Sequence, residues 1–151
     1  MDEFLETTYD KFIFRVKKDC LYTKDEFWAA IKGRMATVGV TDFQQKSKGD
    51  VTILTTVALG TELKQGQAMG DMETIKATID LISPVTGKVV EVNPALQDRP
   101  FLINDEPHGK GWLYRIELTN PEGDAGALLS ANAYFEIMKE KVVQEAKKLY
   151  G

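Results

Sequence analysis

The sequence predicts a mainly β domain with a short internal helix and a C-terminal helix. Short apolar runs such as "DVTILTTV" and "ATIDLI" alternate with the two-residue period of strands. Glycine and proline recur between such runs, at Gly33, Gly60, Gly66, Pro84 and Gly87, where the chain must turn. Beyond residue 130 the period changes: Tyr134, Ile137, Met138, Val142, Ala146 and Leu149 fall at helical spacing.

Taken in order, "KFIFRV" alternates Phe12, Phe14 and Val16 with Lys11, Ile13 and Arg15, a strand pattern with one extra apolar residue. "DEFWAAI" and "RMATVGV" flank Lys32-Gly33 and read as a hairpin with Gly33 in the turn. "TDFQQKSKG" reads as a short helix with Thr41 as N-cap, Gln44 completing a capping box and Gly49 ending it. A strand follows over "DVTILTTV", then turns at Gly60 and Gly66, with further strands expected at 67–73, 77–82, 88–92 and 112–118. Residues 93–111, with three prolines and two glycines, read as a surface loop, and 119–129 as a turn-rich connector. Ser130 caps the last helix, Lys147 and Lys148 complement its dipole, and its apolar stripe is expected to pack on the sheet. Val51, Ile53, Leu54, Val57, Ile79, Leu81, Val89, Val90, Val92, Trp112, Leu113 and Ile116 are the expected core.

A chain of 151 residues suits one domain over 1–151, with 1–19 as an N-terminal extension and 130–150 as the terminal helix. Its net charge of −4 offers no footprint for nucleic acid or an anionic membrane, and no apolar run reaches the length of a membrane span. The start "MDEFLETTYDKF" lacks the basic and apolar regions of a signal peptide, and Cys20, the only cysteine, permits no intrachain disulfide. A cytoplasmic location is therefore expected. Catalysis finds little support. His108 sits in the turn-forming "NDEPHGKGW" and reads as a loop residue without a catalytic role. Cys20 follows lysines that favour a thiolate, but a small packed side chain is the better reading. Metal-ligand spacing, a GxGxxG run and a phosphate-binding loop are all missing, so a non-catalytic carrier is expected.

The informative stretch is "GDMETIKATIDLISPVTGKV", residues 70–89. It places Lys76 between two strands, at a hairpin tip, with no Asn-Gly or similar pair to make the turn. "METIKA" resembles the attachment hairpin of lipoyl carrier domains. "ATVGVTDFQQKSKGDV", "ALGTELKQGQ", "ISPVTGKVVEVNPAL", "LINDEPHGKGW" and "LLSANAY" resemble, in order, segments of the glycine cleavage H-protein family. The resemblance spans about residues 20–138, with Gly60 and Gly87 flanking the lysine as the family's glycines do.

The resemblance implies a lipoyl/biotinyl-carrier hybrid barrel-sandwich, with lipoate as covalent cofactor amide-linked to Lys76. It implies that Glu73 is read by the lipoate-attaching enzyme and that Asp80 is a carboxylate near the arm. The arm's disulfide can be reduced and can accept a group on sulfur, and its tether raises the local concentration of that group at each partner. Biotin is the rival modification, but biotin carriers set their lysine between methionines, whereas Ile75 and Ala77 flank Lys76.

The chain also departs from the family pattern. Aligned without a gap through "LYTKDEFW", Trp28 matches the family tryptophan, Glu26 replaces a histidine and Phe27 replaces a glutamate implicated in holding the amine of an aminomethyl group. Losing a hydrogen bond to a charged group costs about 1.5–3 kcal/mol, so poor aminomethyl retention is expected, with Phe27→Glu restoring it. This departure and "YDKFIFRV" favour the H-like lipoate-binding proteins of sulfur oxidation, whose partner is a heterodisulfide-reductase-like complex. The alternative is a true glycine cleavage carrier working with glycine decarboxylase and aminomethyltransferase. Dihydrolipoyl dehydrogenase is an expected partner of the arm. A further alternative is a non-lipoylated interaction domain or a lipoate relay.

Overall fold

Strand alternation sorts nine strands into two sheets that face each other across an apolar core. The computed structural model describes residues 3–150, without the side chains of 148–150, so the expected roles of Leu149 and Lys148 lie outside the described residues. The strands are β1 Phe4–Tyr9, β2 Phe12–Lys17, β3 Leu21–Tyr22, β4 Phe27–Lys32, β5 Met35–Val40, β6 Val51–Thr56, β7 Glu62–Leu63, β8 Ala68–Thr74, β9 Thr78–Ile82, β10 Gly87–Val92 and β11 Tyr114–Leu118. The helices are α1 Asp42–Lys48, α2 Leu102–Asp105, α3 Pro121–Ala127 and α4 Ala131–Tyr150.

One sheet has the order β3-β4-β5-β11-β10-β7 and the other β6-β8-β9, with β1 and β2 paired as a separate hairpin. Val38, Val89 and Ile116 from the first sheet meet Met72 and Leu81 from the second in one fully buried cluster. This is the mainly β barrel-sandwich expected. Tyr114 crosses the core with its one polar atom satisfied: its hydroxyl donates to the Met69 carbonyl (2.6 Å) and accepts from the Val57 amide (3.0 Å). The β4–β5 turn uses Gly33 at φ +58, as the sequence predicts.

The structure corrects four local readings. Ile53 (53% exposed) faces outward because a β-bulge between Val51 and Ile53 shifts the alternation by one residue, and Val90 (40%) faces outward as the regular alternate of the buried Val89. Residues 93–111 are not a plain surface loop: they hold a 3₁₀ turn and α2, and Leu96, Leu102 and Ile103 are buried. Residues 119–129 contain α3, begun by Pro121 and pinned by the buried Asp124, whose carboxylate accepts from the Thr86 amide (2.6 Å) and hydroxyl (2.9 Å). Thr41 caps α1 by accepting from the Gln44 amide (3.2 Å), but the capping box is not closed by Gln44. The Thr41 amide donates to the Glu26 carbonyl instead.

A second buried cluster lies outside the barrel, where Val16 of the hairpin, Tyr22, Trp28 and Phe43 meet Tyr134, Met138 and Val142 of α4. The helix stripe therefore packs on the hairpin and β3, with Tyr22 and Tyr134 stacked at 4.4 Å. Cys20 is buried here, and burial pushes its thiol up to about 12, which fits packing rather than reactivity.

His108 lies over Trp28, with ring centroids 5.6 Å apart, and its Nε2 is 3.3 Å from the Tyr22 hydroxyl. Burial holds its pKa down to about 4, against an opposing pull from Asp42. As pH falls below the ordinary 6.5 the unfolded chain takes up this proton before the folded chain does. The native state is then expected to lose stability progressively down to pH 4, by about 3 kcal/mol in all. Urea unfolding at pH 7 and pH 5 should show this loss, and His108→Phe should flatten it while keeping the ring packing.

Candidate functional site

The β8–β9 turn solves locally the problem that the sequence poses at Lys76. No residue from Ile75 to Ala77 adopts a positive φ. The turn is built by the Thr74 hydroxyl, which accepts from the amides of Lys76 (3.2 Å) and Ala77 (3.1 Å), while the Thr74 amide donates to the Ala77 carbonyl (2.8 Å). A threonine hydroxyl thus does what Asn-Gly does elsewhere. The turn is also clasped to the end of α1. Ile75 donates its amide to the Asp50 carbonyl (3.2 Å), and its side chain lies against Gly49, where a Cβ would stand 2.8 Å from Ile75 Cγ1. The Lys76 ammonium donates to the Ser47 carbonyl (3.1 Å), one of the acceptors left free at a helix C-terminus.

Lys76 is therefore exposed on a backbone held from both sides. Glu73 and Asp80 are exposed as well, Glu73 opposite Thr78 and Asp80 opposite Asp71 in the β8–β9 ladder. Neither carboxylate pairs with the ammonium, which turns to Ser47. Ser47 and Thr74 are not singled out by the sequence, and Gly49 only as the end of α1. A threonine two residues before the lysine, in a hairpin without a turn pair, is the signal that reveals the hydroxyl-built turn.

The two departures at positions 26 and 27 point to opposite sides. Phe27 is 1% exposed and belongs to the barrel core. Glu26, at φ +77, turns its buried carboxylate outward to the Thr41 hydroxyl (2.9 Å), the Tyr134 hydroxyl and the Lys141 ammonium. Burial and the adjacent carboxylate raise the Tyr134 pKa, so this phenol remains a neutral donor. Glu26 is thus committed to holding α4. Among the described residues no group of three or more His, Cys, Asp or Glu gathers for a metal, and no helix is long and apolar enough to cross a membrane.

Two outcomes follow from this geometry. Thr74→Val removes the acceptor for two amides, so hydrogen exchange at Lys76 and Ala77 should accelerate and stability should fall by about 1 kcal/mol, with Thr74→Ser close to wild type. Phe27→Glu should not act as a simple restoration of a carboxylate. It buries an unpaired charge in the core and should cost about 3–5 kcal/mol, read from the shift of the urea midpoint.

The chain is similar to known proteins over most of its length. The family model described as "Glycine cleavage H-protein" matches residues 20–141. The probable glycine cleavage system H protein of Aeropyrum pernix is 39% identical over 128 residues, covering 85% of this chain and 89% of that one. The glycine cleavage system H protein of Carboxydothermus hydrogenoformans is also 39% identical, over 126 residues and 96% of its length. The crystal structure of the glycine cleavage system H protein from Mycobacterium marinum superposes with a TM-score of 0.71 at 34% identity, covering 79% of this chain and 95% of that one. Matched over most of its length in sequence and in fold, the chain belongs to the glycine cleavage H-protein family, whose members are non-catalytic carriers with lipoate held covalently on a lysine.

Proposed function

We propose that Lys76 is the lipoylated residue and that the protein is the carrier of a glycine cleavage system. The observation that carries this reading is the tip itself: an exposed primary amine on a short turn whose backbone is fixed by Thr74, Asp50 and Gly49. An attaching enzyme needs a reachable amine in a reproducible backbone frame, and a rigid tip supplies both. Amidation removes the ammonium charge but leaves an N–H that can still face the Ser47 carbonyl. The bound group supplies a reducible disulfide that accepts and releases cargo. This chain's residues anchor it, orient its first bonds and hold the hairpin.

Glu73, exposed three residues before the lysine, is the side chain we assign to recognition by the lipoate-attaching enzyme, and Asp80 offers a second exposed carboxylate on the same hairpin. Glycine decarboxylase, aminomethyltransferase and dihydrolipoyl dehydrogenase are the partners this role requires. The relatives and the solved structure described above carry the glycine cleavage name, and none supports the sulfur-oxidation pathway with its heterodisulfide-reductase-like complex. Phe27 is part of the barrel core, so retention of cargo rests on groups other than a carboxylate at that position.

Incubation with a lipoate ligase, followed by intact mass, tests the attachment site. The wild type should gain one lipoyl mass, and Lys76→Arg should gain none while unfolding at the wild-type urea midpoint, because arginine keeps the charge and removes the acylable amine. A full shift in the arginine variant would place attachment elsewhere. The lipoylated wild type, given glycine and glycine decarboxylase, should then gain the mass of a loaded arm. Failure to load would return the sulfur-oxidation reading to first place.

A further inference from the structure

The peptide that clasps the lysine-bearing turn is itself held from behind. The turn meets the end of α1 through the Asp50 carbonyl, which accepts from the Ile75 amide (3.2 Å). Asp50 is exposed and follows Gly49, whose φ of +84 is a conformation that glycine enters freely and other residues rarely adopt. A two-residue connection of this kind between α1 and β6 keeps wide freedom unless other groups restrain it. The restraint comes from Asn104 of α2, 53 positions beyond Val51.

Asn104 brackets Asp50. Its Nδ2 donates to the Gly49 carbonyl (3.0 Å) on one side, and its Oδ1 accepts from the Val51 amide (2.9 Å) on the other. These partners fix which way the side-chain amide points, since a carbonyl only accepts and an N–H only donates. Nδ2 also donates to Gln45 Oε1 (3.2 Å), and Gln45 in turn donates to Asp42 (2.8 Å), so the group is anchored along α1 as well. Three of the four bonds that an asparagine side chain can make are used at this one joint. The Val51 N–H and the Asp50 carbonyl belong to one peptide plane, and in a trans peptide they point in opposite directions. Asn104 holds one side of that plane, and the other side holds Ile75, the residue before Lys76.

We propose that Asn104 is a positioning residue for lipoylation: through the Asp50–Val51 peptide it fixes the frame in which the attaching enzyme meets the Lys76 amine. This rests on Lys76 being the attachment site. Asn104 bonds to α1 and to the start of β6, and it acts on the lysine only through the backbone between them. An enzyme that reads the turn as a shape binds only molecules in which the turn is seated. A loosened clasp therefore weakens apparent binding and leaves the chemistry at the amine unchanged.

The test uses the full-length, unmodified protein as substrate for a lipoate ligase. Given lipoate and ATP, the ligase joins the activated lipoyl carboxyl to the lysine amine with loss of the activating nucleotide. Asn104→Ala is compared with Asp124→Ala, which removes bonds to Thr86 at α3, each at a temperature where its urea curve shows it folded. A turn seated about one-tenth of the time should raise the KM for Asn104→Ala about tenfold, with kcat near the wild-type value. Its Ile75 amide should exchange about tenfold faster, while the Val89 amide, bonded to the Thr61 carbonyl (2.9 Å), keeps its wild-type rate. Asp124→Ala should leave KM and Ile75 exchange as they are. Asn104→Asp keeps the acceptor for Val51 but sets a carboxylate against the Gly49 carbonyl; it should raise KM too, and it serves if the alanine variant does not fold. Wild-type KM and Ile75 exchange in the folded Asn104 variant, or an equal change in Asp124→Ala, would overturn the positioning role while leaving the attachment site intact. A wild-type chain that takes up no lipoyl mass at Lys76 would overturn the attachment reading and this one with it.

Discussion

Gly49 is where the geometry of the site converges. At φ +84 it lies in the left-handed region, and there it ends α1 by donating its amide to the Gln45 carbonyl (3.0 Å). Its carbonyl accepts from the Asn104 side chain (3.0 Å), whose Oδ1 in turn accepts from the Val51 amide (2.9 Å), so the same residue ties α2 to the start of β6. Its missing Cβ makes the space in which Ile75 lies. Any side chain here would strain the backbone and force the Ile75 side chain beside the lysine to shift. The position of Lys76 thus depends on a residue twenty-seven places earlier that makes no contact through a side chain of its own.

A second constraint works at the N-terminal end of the same helix. Glu26 is a buried carboxylate on a strained, left-handed backbone, satisfied by Thr41, Tyr134 and Lys141. Burying a charge is tolerable only when its acceptor sites are filled, and here the donors come from both α4 and the N-cap of α1. The cluster joins α4 to the helix against which the tip is clasped. Tyr22, stacked on Tyr134 and bonded through its hydroxyl to the Lys17 amide (2.7 Å), extends the same linkage to the β1–β2 hairpin. Segments outside the matched family region are in this way built into the frame around the lysine.

Much of this was legible in the residues. The alternation in β6 and β9, the Gly33 turn, the Thr41 cap and the helical period of α4 depend on interactions within a few positions, and such interactions are written in local sequence. The lysine at a hairpin tip followed from the two strand runs that flank it. The errors have a common cause. Ile53 faces outward because a bulge shifts the pleat, and a bulge is decided by the partner strand. α3, with two glycines in seven residues, has poor intrinsic propensity and is held by the distant bonds of Asp124 to Thr86.

The sequence by itself determined the mainly β architecture, the terminal helix and the placement of Lys76 in a turn, because periodicity and turn chemistry are short-range. Only the tertiary structure decided that Thr74 shapes that turn, that Gly49 and Ser47 receive it, and that Phe27 and Glu26 part to opposite sides of β4. It also brought Phe12 and Val142, 130 positions apart, to the two walls of one groove beside the lysine. These are juxtapositions of residues remote in the chain, and they exist only once burial of the two cores has fixed how the hairpin, α1 and α4 pack.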